Sequence, residues 1–587
     1  MTTKNQTLKE ILINAIKNHK NNKINSAEKL YKKILKINKN HFEANFLLGL
    51  LFIQCNKNNQ AQKLFEKAVE INPKNPNAHY NFGKSLNAAG DSKNAIISYE
   101  KAIKLKPDYA NAYNDLGVTY SKIGEVNEAK NCFVKAIEFN SNFAEAHYNL
   151  GLIFEKLKDY QKAKISYENT IQINPNLTNV NFNLGNVLEE LGELSGAILY
   201  YQKEIKISPN NVSAYNNLAL VYKEMDEINK SVKSYEEAIK NNYENLSSIY
   251  YLSYLKNEVI NFELEKKIKK IITKKNCTKE NYAYGNFLLS KYEFKEKNYK
   301  KEFKYLYKGH SYYFELKKNS LNKEINYWLD ELPNEKILKN FMKYDKKFKK
   351  KEIEYKPIFI VGIPRCGSTL IEKVIASGAK HIPIGEETNI FRDFVKKNIL
   401  EKSLSNLNIE NAKEQIVKKY EQKKLIQLKK DYIFTDKSLD NFFYIGLINK
   451  IFPEAKIVNC IRNPLSSIMS IFKSIYKDIP WGHNLTHIFK YINQYNKILK
   501  KWKNFYPSLI YDLEYEKFVN DPVKESKKLF KFCNLKWNEK CLEFYKRNDI
   551  ISKTASKFQI KQSIYKGSGD QYLQYKKILY KYGYKHY

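Results

Sequence analysis

Small, apolar and aromatic positions recur along the first part of the chain with a period of 34 residues. Gly49, Gly83, Gly117, Gly151 and Gly185 hold one column, and Ala219 continues it. Ala61, Ala95, Ala129, Ala163 and Ala197 hold a second, with Ala27 before them and Ser231 after. A bulky column runs Tyr31, Phe65, Tyr99, Phe133, Tyr167, Tyr201, Tyr235, while Pro73, Pro107, Pro175 and Pro209 close four of the units. The spacing predicts two helices per unit. The small residues let the helices cross closely, the ring fills the adjacent hole, and the proline, lacking an N–H, stops the second helix. Seven units start near residues 8, 42, 76, 110, 144, 178 and 212, and the first and last are atypical, as the ends of a stacked array must be.

From 246 to about 350 the register is lost but the pattern stays helical; residues 281–314 read as a degenerate helix pair. A Lys-dense stretch, Lys343, Lys346, Lys347, Lys349, Lys350 and Lys351, reads as a solvated linker. The pattern then changes. Pro357-Ile-Phe-Ile-Val361 is the apolar run of a buried parallel strand. It feeds Gly362-Ile-Pro-Arg-Cys-Gly-Ser-Thr369 and then Leu-Ile-Glu-Lys-Val-Ile, which has helical character. Strand, glycine loop and helix N-terminus together make an anion cradle. Phe452 to Arg462 is a second strand, followed by Asn463-Pro-Leu-Ser-Ser-Ile-Met-Ser470.

The repeat resembles the tetratricopeptide repeat (TPR), whose unit reads L-G-x2-Y, A-x3-F and P. The loop keeps the G-x4-G spacing of a Walker A motif, but the expected Lys is Ser368, which argues against hydrolysis of a nucleoside triphosphate. With its strand, GIPRCGST resembles the 5′-phosphosulfate loop of sulfotransferases, Cys366 and Ser368 being the departures. Arg462, with Ser470 eight residues later, resembles that family's 3′-phosphate site. Gly385-Glu-Glu-Thr388, Asp436-Lys437, Glu514 to Pro522 and Thr554 to Lys561 bring the likeness nearest to the tyrosylprotein sulfotransferases and to bacterial-type proteins that join TPRs to such a domain. The expected architecture is multidomain: an all-α TPR solenoid (8–245), a degenerate helical connector (246–354) and an α/β, P-loop-like sulfotransferase domain with a parallel sheet (355–580).

Composition changes this picture little. The net charge of +38 invites a nucleic-acid reading, but the excess is Lys and comes with heavy Asn, Ile and Tyr, all drawn from A/T-rich codons. No basic patch matches a nucleic-acid module, so no nucleic-acid partner is expected. No stretch approaches 18 consecutive apolar residues, so no membrane span is expected. The seven Cys are scattered without a CxxC pair, which fits a reducing compartment, and a start without an apolar signal core adds to an expected cytoplasmic location. His310 and His381 lack metal-ligand spacing and read as structural.

The resemblance implies a co-substrate, 3′-phosphoadenosine 5′-phosphosulfate (PAPS), no metal, and transfer of a sulfuryl group to a hydroxyl. Glu387 is then the base, with Glu386 structural, although the sequence alone does not separate the two. Arg365 and Lys437 neutralise growing charge, and Ser556, or Thr554 in its place, supplies a hydroxyl. Arg365, Cys366, Gly367, Ser368 and Thr369 cradle the 5′ end, Arg462 and Ser470 the 3′-phosphate, Tyr515 stacks on adenine and Lys561 helps hold the nucleotide. The Arg that follows GEET in the animal enzymes is Asn389 here, with Arg392 nearby as a substitute, and a basic residue usual in the last cofactor segment is Gln571. Asn81, Asn149, Asn183 and Asn217 share one position of the repeat, with Asp115 filling the gap. They form either a ladder that grips a peptide main chain or a set of helix-to-helix bonds. The expected partner is a polypeptide acceptor in the TPR groove. A saccharide or small alcohol acceptor, and an inactive interaction protein, stay open.

Overall fold

In the computed structural model, residues 2–334, 355–378, 382–400, 409–423, 425–426, 433–476, 479–547, 564 and 572–584 are described. The chain divides into two compact units, Met1–Tyr243 and Glu244–Tyr587.

The first unit is a run of helix pairs in the expected register, from Thr2–Lys20 with Ile24–Ile37 to Val212–Glu224 with Ile228–Asn241. The opening helix begins at Thr2, six residues before the period does. The columns explain themselves as contacts. A Cβ on Gly49, Gly83 or Gly117 would stand 2.8 Å from the ring of Phe65, Tyr99 or Phe133, and on Gly151 or Gly185 it would stand 2.5 Å from Tyr167 or Tyr201. Each aromatic therefore packs directly on its glycine, fully buried, beside an alanine that is fully buried too. Such a ring contributes about 1.5–3 kcal/mol by burial. Pro73, Pro107, Pro175 and Pro209 each stand two residues past a helix end.

The second unit opens with helices Leu246–Leu252, Phe262–Ile272 and Lys279–Lys295, followed by α1 (Tyr299–Asn326). The expected pair at 281–314 is therefore present, its second helix running twelve residues further, to Asn326. These helices are integral to the unit that holds the sheet. His310 of α1 sets Nε2 2.7 Å from the carbonyl of Phe472 and Nδ1 3.0 Å from Nδ1 of His483. Glu302 pairs with Lys473 at 3.0 Å and accepts a hydrogen bond from Tyr575. His381 and the Lys-dense stretch lie outside the described residues.

Four strands, β1 (Ile358–Gly362), β2 (Thr435–Asp436), β3 (Lys456–Ile461) and β4 (Ile510–Glu514), form a parallel sheet in the order β2-β1-β3-β4. β1 is buried along its whole length, which accounts for its unbroken apolar run. Helix α2 (Ser368–Ala376) packs Ile371, Val374 and Ile375 into a core shared with Ile358, Ile360, Val458 and Leu513. The chain leaves β1 for β2 on one side and reaches β3 on the other. Parallel sheets bind ligands beyond the carboxyl ends of their strands at such a switch. An all-α solenoid followed by an α/β domain with a parallel sheet is thus the fold.

Candidate active site

The carboxyl ends of all four strands carry residues singled out by the sequence. β1 ends at Gly362, where a Cβ would stand 2.7 Å from Sγ of Cys366 and 2.8 Å from the carbonyl oxygen of Cys460. The loop then turns through left-handed backbone at Arg365 (φ +70°) and Gly367 (φ +92°). At Gly367 the ring of Tyr515, just past β4, occupies the place a Cβ would take, so the position admits only glycine. α2 starts at the next residue, and its first amides point into the loop without a side-chain cap.

Arg365 donates from Nε to Oγ of Ser470, 3.1 Å away on helix α3 (Pro464–Phe472). Arg462, one residue past β3, donates from Nη1 to the carbonyl of Arg365 at 2.9 Å and lies 4.8 Å from the centre of the Tyr515 ring. Five predicted nucleotide residues, Arg365, Gly367, Arg462, Ser470 and Tyr515, are therefore one contiguous group. Cys366, Ser368 and Thr369 lie buried in the same turn. A hydrogen bond from the Cys460 thiol holds the Cys366 thiol below its ordinary range despite burial, helped by Ser368 and by the charge of Lys437.

Lys437 follows β2 and is buried, with Nζ 3.2 Å from Oε1 of the half-exposed Glu387. Burial pulls the Lys437 ammonium down, but Glu372, Glu387 and Glu386 together outweigh it and hold the group above its ordinary value. Asp436, fully buried, ties the neighbourhood together. It accepts from Thr388 Oγ1 at 2.6 Å, Tyr420 OH at 2.5 Å, the Ser438 amide at 2.8 Å and Asn441 Nδ2 at 3.1 Å. Glu386 adopts left-handed backbone (φ +48°), and its carbonyl accepts from the Lys437 amide at 2.7 Å. The strained turn thus presses Glu386 into the fold by its main chain and leaves Glu387 facing Lys437.

The two groups meet at the loop, where the Lys437 charge is felt at Cys366. Ser556, Thr554, Lys561 and Gln571 lie outside the described residues. Arg392 does not serve as a spare reader of acidic residues. Its guanidinium lies 5.5 Å over the Trp328 ring and faces Asp440, whose carboxyl burial pushes up to about 6, so its charge is engaged within the domain. Asn389 is a left-handed helix start whose amide donates to Ser438 Oγ at 2.9 Å. Among the described residues no group of His, Cys, Asp and Glu is placed to hold a metal ion, and no helix is long and apolar enough to cross a membrane.

Sequence reasoning missed Glu372, Asp436 as a hub, and Tyr572. Burial raises the Tyr572 phenol, and the charges of Arg462 and Arg365 oppose that rise. For Glu372 the signal was a charged pair, Glu372-Lys373, inside an otherwise apolar helix.

In the solenoid, Asn149, Asn183 and Asn217 each donate from Nδ2 to the preceding repeat, to Asn114 Oδ1 at 3.0 Å, Tyr148 OH at 3.1 Å and Asn186 Oδ1 at 2.8 Å. Asn81 instead donates to its own helix, at Asn77 O (2.8 Å), and Asp115 accepts from Tyr80 OH at 2.9 Å. Three of the four asparagines thus bond from helix to helix between repeats, and Asn81 bonds within its own helix.

Comparison with known proteins agrees with this geometry. Residues 357–539 match the family model described as Sulfotransferase family. TPR repeat models match residues 49–90, 83–124, 122–158 and 185–226, and tetratricopeptide repeat models match 144–177 and 212–245. The chain therefore joins TPR repeats to a sulfotransferase-family domain. An uncharacterised protein of Aquifex aeolicus (strain VF5) is 29% identical over 243 residues, covering 38% of this chain, which spans only 31% of that protein. A crystal structure of MamA is 29% identical over 27% of this chain and 94% of its own, with a TM-score of 0.27. YrrB, described as a TPR protein with an unusual peptide-binding site, is 24% identical over 32% of this chain and 96% of its own, with a TM-score of 0.30.

Proposed function

We propose that the chain is a PAPS-dependent sulfotransferase that moves a sulfuryl group to an acceptor hydroxyl, and that the acceptor is a tyrosine of a polypeptide gathered by the TPR array. The observation that carries this reading is the second cationic group beside the phosphate loop: Arg365, Arg462 and Ser470 bonded to one another at the ends of β1 and β3. A loop without the Walker Lys but with an added Arg/Ser pair suits a nucleotide phosphorylated at both ends. The glycine turn before α2 suits a phosphate, and the Tyr515 ring packed on Gly367 suits a base.

In this reading the loop from Arg365 to Thr369 takes the 5′ end, Arg462 and Ser470 the 3′-phosphate, and Tyr515 the adenine, with Lys561 assigned on sequence alone. PAPS supplies a sulfuryl group on a phosphate leaving group. Glu387 takes the proton from the acceptor hydroxyl, while Lys437, with Arg365, stabilises charge on the transferring group and the bridging oxygen. Ser556 joins them on the sequence argument. A phenol, with a pKa of about 10, asks less of a carboxylate base than an alcohol does. The same reading divides the chain at 8–245, 246–354 and 355–580 and puts it in the cytoplasm.

Calorimetry with 3′-phosphoadenosine 5′-phosphate and with adenosine 5′-phosphate tests the nucleotide: equal affinity for the two overturns it. Mass spectrometry after incubation with PAPS and a mixed peptide and glycan library tests the acceptor. Sulfotyrosine supports the polypeptide reading, and sulfated sugar alone replaces it.

A further inference from the structure

Glu372 lies one turn into α2, wholly buried, and has no part in the chemistry above. Its Oε1 accepts from two other elements at once, the backbone amide of Glu386 at 3.1 Å and the hydroxyl of Thr435 at 2.8 Å. Its Oε2 is buried with no hydrogen-bond partner. The two donors flank the chemistry, since Glu386 precedes Glu387 and Thr435 stands two residues before Lys437. The charges that face Glu372 are Lys437 from the end of β2, Glu386 from the turn and Lys373 from its own helix, with Arg547 facing Lys373 in turn.

We propose that Glu372 is a positioning residue for transfer: it holds the Glu386–Glu387 turn against β2 and so keeps Glu387 facing Lys437. The proposal rests on the reading of Glu387 as the base. A buried carboxyl resists ionisation, and burial pushes this one up to about 7. An ionised carboxylate is the stronger acceptor for the Glu386 amide and the Thr435 hydroxyl, and the protonated acid holds them less firmly. Ionisation of Glu372 therefore tightens the turn that carries Glu387. Turnover should therefore rise with pH through about 7, while nucleotide binding, made by other residues, should not.

The test uses the full chain and two substitutions. Glu372→Gln keeps an oxygen for Glu386 and Thr435 but cannot ionise; Glu372→Ala loses both bonds. With PAPS and a tyrosine peptide, wild-type kcat should climb with pH, and Glu372→Gln should lose that limb, falling about tenfold below wild type on the alkaline side, where the charged acceptor is the better one. Glu372→Ala should lose kcat at every pH while binding 3′-phosphoadenosine 5′-phosphate normally, a split that a general loss of folding would not give. A second readout needs no catalysis. In chain labelled with 15N-Glu, the Glu386 amide resonance, assigned by its loss in Glu386→Gln, should titrate near neutral pH in wild type and stay fixed in Glu372→Gln. A wild-type chain that transfers nothing defeats the functional reading, and the resonance then decides the role of Glu372 alone. A Glu386 resonance that does not titrate, or a pH limb that survives in Glu372→Gln, overturns the proposal.

Discussion

Gly362→Ala is the smallest change that tests whether packing behind the loop sets its shape. The added methyl would stand 2.7 Å from Cys366 Sγ and 2.8 Å from the Cys460 carbonyl, where ordinary contact begins at 3.4 Å, so the sulfur must yield by about 0.7 Å or the carbonyl by about 0.6 Å. Cys460 is the register partner of Gly362 and is held in β3 between β1 and β4. Cys366 belongs to the loop and is the part free to move. Its displacement draws the Arg365 carbonyl from Arg462 (2.9 Å) and Arg365 Nε from Ser470 (3.1 Å). Overpacking of this kind costs about 1–3 kcal/mol, and misaligning two charged donors should weaken 3′-phosphoadenosine 5′-phosphate by at least tenfold, about 1.4 kcal/mol.

All four tryptophans, Trp328, Trp481, Trp502 and Trp537, lie in the second unit, so tryptophan fluorescence in urea reads its stability apart from the solenoid. Calorimetry reads the nucleotide. The double substitution Gly362→Ala with Cys366→Ala removes the sulfur overlap and leaves only the carbonyl overlap, and it should recover more than half of the lost stability. A Gly362→Ala chain with an unchanged urea midpoint and unchanged affinity would refute the reasoning, since the loop would then tolerate a methyl where the structure leaves no room.

Glu387→Gln should lower turnover by roughly 10²–10⁴ with little effect on nucleotide binding, and Glu386→Gln should not; steady-state kinetics showing the reverse would exchange their roles. Replacing Asn81, Asn149, Asn183 and Asn217 together by Ala should raise KM for a protein acceptor and leave kcat on a short free acceptor unchanged. The inter-repeat bonds of three of them should also register in thermal unfolding of the solenoid, at about 0.5–1.5 kcal/mol each; normal binding of the protein acceptor would leave the ladder purely structural. Burial pushes His483 down from 6.5 to about 4 and His310 well below its ordinary range, so both are neutral in the fold and take up protons on unfolding. Their contribution is complete above about pH 6.5 and is lost as pH falls toward 4, about 3 kcal/mol for His483 alone. The stability gap between wild type and His483→Gln, followed by tryptophan fluorescence in urea, should shrink by that amount across the window, and a pH-independent gap would contradict it.

What the sequence discloses and what it hides differ in how often a constraint is written. The contact of a ring on a glycine is stated five times at one spacing, so the solenoid is legible from periodicity alone. The phosphate loop and the Arg462–Ser470 pair are each confined to a few consecutive residues, so they read as motifs. Glu372 takes its partners 14 and 63 residues away, and His310 takes its partners 162 and 173 away, each once. No period or local spacing marks such a contact. Which of Glu386 and Glu387 pairs with Lys437 was equally closed to the sequence, because it turns on one left-handed residue whose main chain is claimed by Glu372 and Lys437. Yet the hidden contacts left one trace. A charge enters a buried helix only where a partner elsewhere in the fold compensates it. Glu372-Lys373 within Leu-Ile-Glu-Lys-Val-Ile is such a pair, and Glu302 on α1, buried against Lys473 and Tyr575, is another. A charge set among apolar residues in a sequence is therefore an address whose other half lies far along the chain, and in this protein one of those addresses is the back of the candidate active site.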